Sequence, residues 1–285
     1  VYKRQTELPR YKNPPITEVA VSVQFESVAD LMIPHVGLIW ERFKDRFPHI
    51  EQHGLLGSTI ERLRPSNIGQ PQISLSSNVE TPRVWFVSDD GADLVQVQPN
   101  RFVRNWRKQP TERRAYPHYD EHIRPSFLED LNAFRQGLID IGLSDISVNQ
   151  CELTYVNHIL PNEVWTSHEQ INRVLSIWPD NATDLFGSGF ENASIKFSNQ
   201  ITGEKGEFLG RVHFDIQPRF LLQPGKTGEP EPVFVCNIVA RGQPLTDGDD
   251  GFVQFLDLGR RQIVELFEKM FTEELQLAWQ KSGEA

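Results

Sequence analysis

The chain has 285 residues, with 29 Lys and Arg against 39 Asp and Glu, for a formal net charge of −10. Its 18 Phe, 6 Trp and 5 Tyr exclude a disordered chain and are enough for a sizeable core. The charge argues against a general nucleic-acid coat, because phosphate is repelled unless the cations are clustered.

Leu8 to Pro15 carries three prolines and is predicted to be an extended arm. Val19, Val21, Val23 and Phe25 then alternate with polar residues, the period of a half-buried strand. Asp30 is placed as an N-cap before a helix bearing Leu31, Val36, Ile39, Trp40, Phe43 and Phe47, stopped at Pro48. Short strands are predicted at 60–64, 72–76 and 83–87. Asp89-Asp90-Gly91 supplies a turn, and one long strand is expected from Leu94 to Trp106. Phe127, Leu128, Leu131, Phe134, Leu138 and Ile141 mark a helix ended by Gly142.

The second half follows the same plan. Val148 to His158 is predicted as a strand, and Ser167 caps a helix with Ile171, Val174, Leu175 and Trp178. Strands are expected at 193–200, at Phe208 to Ile216 with Arg211, His213, Asp215 and Gln217 on the polar face, and at Val233 to Ala240. The last is apolar on both faces and so central. The longest helix is predicted from Phe252 to Gln280.

This order predicts an α+β fold. An arm (1–15) precedes two similar β-α-β(3–4)-α halves, 16–145 and 146–285, which form one compact unit. The halves would make a curved antiparallel sheet covered by helices, with a helix-grip or TATA-binding-protein-like topology by analogy. An internal duplication with a period near 130 residues is expected, since Leu131, Phe134 and Leu138 match Ile263, Leu266 and Met270.

Cys151 and Cys236 lie in strand-like runs and are expected as buried thiols, with a bridge between them still open. No signal-like segment follows Val1, and no run approaches the ~18 apolar residues of a membrane span, so a cytoplasmic location away from membranes is expected. Val1 in place of Met puts the expected native start upstream.

Two stretches carry chemistry. In the first, Arg101, Arg104, Arg107, Lys108, Arg113 and Arg114 are opposed only by Glu112, with Trp106 among them. Guanidinium groups take phosphate or carboxylate bidentately, so these residues are the candidate anion- or partner-binding set. A solvated strand end whose arginines pair with surplus carboxylates is the competing reading. On a flat strand Arg104 and Trp106 share one face and Arg101 and Arg107 the other, so one ligand cannot use all of them without a bulge or turn.

In the second stretch, Glu152, Thr154 and His158 share one strand face, opposite Cys151, Leu153, Tyr155 and Asn157. Glu152 and His158 are ~20 Å apart along a strand and cannot form an acid–base pair. A structural polar strand of Glu152, Thr154, Tyr155, Asn157 and His158 is expected. His49 and His53 lack a third ligand, so no metal is assigned. His213 and Asp215 are expected as a structural pair. Hydrolase-elbow, P-loop, dinucleotide and zinc-protease motifs are absent.

Pro14 to Val19, Gln96 to Trp106 with Tyr116-Pro117, and Glu152 to Ile159 together resemble a sporadically distributed prokaryotic family of unknown function and about this length. The resemblance implies a defence or mobile-element context and brings no catalytic residues. The expected role is a non-enzymatic partner-binding or ligand-sensing protein without a cofactor, with a protein partner. An anionic ligand, a nucleic acid and a homodimer stay open. The alternative is an enzyme acting on a nucleotide or nucleic acid through segment 101–114.

Overall fold

A computed structural model describes residues 8–28, 30–63, 81–109, 115–179, 189–222 and 229–281. Nine strands form one open, curved antiparallel sheet. In chain order they are β1 (Ile16–Phe25), β2 (His49–His53), β3 (Arg83–Val87), β4 (Asp93–Gln98), β5 (Arg101–Arg107), β6 (Val148–Ile159), β7 (Ile195–Thr202), β8 (Phe208–Leu221) and β9 (Glu231–Gly242). Their order across the sheet is β2-β3-β4-β5-β1-β6-β9-β8-β7. The seam between the chain halves is the β1–β6 pair, with Val21 opposite Leu153 and Ser22 opposite Glu152.

Alternation along each strand separates two faces. Val19, Val21, Val23, Phe102, Leu153, Phe214 and Ile238 point to the helices and are fully buried. Those helices are α1 (Ile33–Trp40), α2 (Arg124–Asp140), a four-residue turn α3 (Ile171–Val174), α4 (Asp249–Met270) and α5 (Glu273–Ala278). Phe134 of α2 lies 5.2 Å from Phe102 and 6.0 Å from Phe25, while Phe127 meets Phe252 of α4 at 6.4 Å. The aromatic stripe read from the sequence therefore joins α2 and α4 into one cover. Gly142, at φ +79, ends the segment after α2 as expected, because its left-handed backbone costs glycine no Cβ clash.

Several boundaries differ from the sequence reading. Residues 60–63 are irregular and Arg64 lies outside the described residues, as does the strand expected at 72–76; the first meander strand is instead β2 at His49–His53. The long strand from Leu94 to Trp106 is two strands, because Pro99 and Asn100 form a turn between β4 and β5. Helix α1 starts at Ile33, with Met32 and not Asp30 at its N-cap.

The helix expected after Ser167 is a 3₁₀ turn (His168–Gln170) and α3. It ends early because Leu175 turns extended and pairs with Phe271. The same bridge splits the predicted helix 252–280 into α4 and α5, with Thr272 as the N-cap of the second. Both cysteines are free and buried. Among the described residues no helix is long and apolar enough to cross a membrane.

Candidate binding site on the open sheet face

The face away from the helices is polar, and the alternation that buries one side of β5 delivers its cations to two different places. Phe102, Arg104 and Trp106 point inward. Arg104 is 6% exposed; its Nε donates to Asp130 Oδ2 of α2 at 2.7 Å, its Nη2 lies 2.8 Å from Asp93 Oδ1, and its guanidinium sits 5.5 Å from the Phe47 ring. Arg104 is thus engaged inside the fold, which corrects its assignment as an anion-binding group. Trp106 is 3% exposed and meets Tyr116 edge-on at 5.8 Å, so it too is core and not a stacking platform. Arg113 and Arg114 lie outside the described residues.

Arg101 and Arg107 emerge on the open face but at opposite ends of β5. Arg101 is buried there and donates to the Gly57 carbonyl at 2.9 Å. Arg107 and Lys108 border a cleft of about 460 Å³, together with Glu18, Glu51, Gln109 and His158. A β-bulge in β1 between Ile16 and Glu18 underlies this cleft, and the Lys108 N–H donates to the Thr17 carbonyl at 2.8 Å. A bulge adds a residue on one strand and re-aims the side chains beside it. This bulge brings the ends of β5 and β6 to either side of Glu18.

Neighbouring side chains hold the cleft in place. On the open face Arg83 donates to Gln96 Oε1 (3.0 Å), Gln96 donates to Asn105 Oδ1 (2.8 Å) and Asn105 donates to Glu18 Oε1 (2.5 Å), a directed chain across β3, β4, β5 and β1. Trp85 lies next to it, stacked on His53 at 3.9 Å and under the guanidinium groups of Arg83 and Arg107 at 5.4 and 5.6 Å. Arg107 Nη2 donates to the Gly91 carbonyl at 3.2 Å. Among the described residues this is the hydrogen bond of the Arg107 head, and with Nε buried it is the terminal nitrogens that can meet another acceptor.

Strand β6 is sixth of the nine, with Glu152, Thr154 and Tyr155 inside it. Glu152 accepts from Arg241 Nε at 2.5 Å on the open face. On the helix side the Tyr155 hydroxyl bonds that of Tyr116 at 2.8 Å, and Asn157 Nδ2 donates to the Cys236 carbonyl at 3.2 Å. Burial pushes the Tyr155 phenol well up. Tyr119 and Arg124, at the π-helical entry to α2, both bond Asp257 of α4, so this side of the molecule is an internal seam. His213 bonds Ser198 and Glu61 and not Asp215, which pairs with Lys196 instead; this corrects the expected His213–Asp215 pair.

The chain matches no family model and no curated protein.

His158 faces the cleft half-buried, and burial holds its pKa below the ordinary imidazole value. The unfolded chain takes up that proton near pH 6.5, whereas the folded one resists it. The stability that follows is present above that pH and is lost as pH falls toward the folded value. Urea unfolding from about pH 7 to about pH 5 should show a loss that His158→Gln reduces. An identical slope in the variant would assign the loss to other groups.

The sequence reading found Arg107, Lys108 and His158 but not Glu18, Glu51 or Trp85. Glu18 carried a legible signal, its place on the polar face of β1. Trp85 was read only as part of a strand.

Proposed function

We propose that the chain is a non-enzymatic ligand-binding protein whose cleft over the β1 bulge takes a small molecule with an anionic group. The observation that supports this is convergence: Arg107 and Lys108 at the end of β5 and His158 at the end of β6, flagged separately in the sequence, border one cleft. Arg107 and Lys108 meet the anion, and the neutral imidazole of His158 adds a polar contact without competing charge. Glu18 and Glu51 on the rim repel a uniformly negative ligand and favour one that also carries N–H donors. A nucleotide has both features.

The test is thermal and denaturant stability with a panel of nucleotides and short oligonucleotides. A ligand at 100 times its dissociation constant adds ~2.7 kcal/mol. Hydrogen bonds to charged groups contribute about 1.5–3 kcal/mol, so Arg107→Ala with Lys108→Ala should bind at least ~10-fold more weakly, while the ligand-free variant loses only the Gly91 bond and the Trp85 contact of Arg107. Added salt should weaken binding further. Wild-type affinity in the double variant would reduce these cations to solvated surface. The alternative, an enzyme acting on a nucleotide, is separated from this reading by whether the bound nucleotide is recovered intact.

The strand order outward from the seam, β1-β5-β4-β3-β2 on one side and β6-β9-β8-β7 on the other, supports descent of the halves from one duplicated unit. The TATA-binding-protein saddle offers the analogy. Superposing residues 15–142 on 146–281 tests it. The family resemblance supports a defence or mobile-element setting, and neighbouring genes would test that.

A further inference from the structure

Residues 54–63 leave β2 at the sheet edge and cross the open face at the end away from the cleft. Along β1 the two places are marked by Gln24 and Glu18, ~20 Å apart at strand rise. The crossing is held by side chains of six adjacent strands. Gln98 of β4 accepts from the Leu56 N–H and donates to its carbonyl, at 3.0 and 3.1 Å. Gln24 of β1 treats Thr59 in the same way, at 3.0 and 2.8 Å. Gln150 of β6 accepts from the Glu61 N–H at 2.8 Å, while its own Nε2 has no partner. These glutamines are 2%, 2% and 0% exposed. Arg101 of β5 takes the Gly57 carbonyl, and Arg211 of β8 takes those of Arg62 and Leu63.

Nearly all these contacts are to main chain, which every sequence presents alike. The main side-chain contact is Glu61. Its carboxylate, 9% exposed, is paired with Arg211, lies 3.0 Å from His213 and 3.8 Å from Arg241 of β9. Burial alone would raise its pKa, but the hydrogen bonds and charges of His213 and Arg211 outweigh that and hold it below the usual carboxylate value. The strap's apolar side chains add little: Leu55, Ile60 and Leu63 are 40%, 36% and 53% exposed. With little apolar burial, the strap has few contacts to replace beyond these hydrogen bonds and the Glu61 pairs.

We propose that Gln24, Gln98 and Gln150, with Arg211, Arg241 and His213, form a docking surface for an extended segment of a partner protein that carries one glutamate or aspartate in register with Glu61, and that residues 54–63 are its intramolecular occupant. The surface reads main chain at three points and demands one carboxylate. A partner segment of that chemistry exchanges with the strap bond for bond, so exchange needs no change in the sheet. This surface is separate from the cleft, and its test uses no nucleotide.

A fluorescent peptide of residues 54–63 titrated into the full chain is the probe. Glu61→Gln in the protein weakens the internal occupant and should tighten peptide binding at least ~10-fold over wild type, because a charge-assisted bond is lost only from the strap. The same change in the peptide should weaken binding by at least ~10-fold. At saturation the amides of Leu56, Thr59 and Glu61 in the protein should exchange faster with solvent. The proposal is overturned if the Glu61→Gln protein binds no peptide, if the glutamine peptide binds as well as the glutamate one, or if those amides stay protected. Should the Glu61→Gln protein fail to fold, wild-type titration read by amide exchange decides alone.

Discussion

Arg104→Ala is expected to lower folding stability by about 3–5 kcal/mol, the range for breaking a buried ion pair from one side. Asp130 of α2 is fully buried and has two cations, Arg104 at 2.7 Å and Arg46 at 2.5 Å. Arg46 is 42% exposed and approaches from the rim, so it cannot replace the inner partner. Asp93 loses its cation in the same variant. Replacing both members, Arg104→Met with Asp130→Leu, should recover part of the loss, since the fully buried carboxylate goes with its inner cation and only the partly exposed Asp93 and Arg46 lose a partner. Urea unfolding of Arg104→Met, Asp130→Leu and the double gives the coupling directly. If Arg104→Ala unfolds like wild type but loses a ligand, its guanidinium belongs to a binding site and not to the α2 anchor.

Gly242→Ala should cost about 3 kcal/mol, the upper end for overpacking a dense core. Gly242 of β9 faces Gly210 of β8, and both lie under Phe255 of α4. A Cβ at Gly242 would stand 2.2 Å from the Leu209 carbonyl oxygen and 2.3 Å from the Phe255 ring. The ring can turn only within a filled core, and the carbonyl belongs to a β-ladder that would have to open. Gly37→Ala is the control: it lies exposed in α1 with nothing within 4 Å of its added Cβ, and should gain up to ~1 kcal/mol in helix propensity. Thermal unfolding of both variants tests the contrast. A Gly242→Ala protein as stable as wild type would show that α4 is free to lift from β8 and β9.

The candidate site divides along a physical line. The ends of β5 and β6 carry strand-period signals, so the faces of Arg101, Arg107 and His158 were legible one strand at a time. That these ends flank the same bulge depends on β1 lying between β5 and β6. Glu18 pairs with Arg107 on one side and Val156 on the other, far apart in the chain, and such pairings leave no trace in local period. The strap escapes sequence reading for another reason. Its C-terminal part, 60–63, falls in a predicted strand, yet the strap pairs with side-chain amides and not with a neighbouring strand.

The sequence by itself determined which residues of each strand and helix turn inward, because hydrophobic period reports local backbone geometry together with burial. It also marked element ends at turn residues such as Gly142 and Asp89-Asp90-Gly91. Only the tertiary structure decided which charges neutralise one another. Arg104 has the sequence signature of a surface cation, yet Asp130, 26 residues on, lies beneath it. An ion pair is set by distance in space, and either partner alone has the sequence signature of a solvated charge. The hold on residues 54–63 was likewise invisible beforehand, because main-chain donors and acceptors are the same at every residue and only the fold selects which of them Gln24, Gln98 and Gln150 meet.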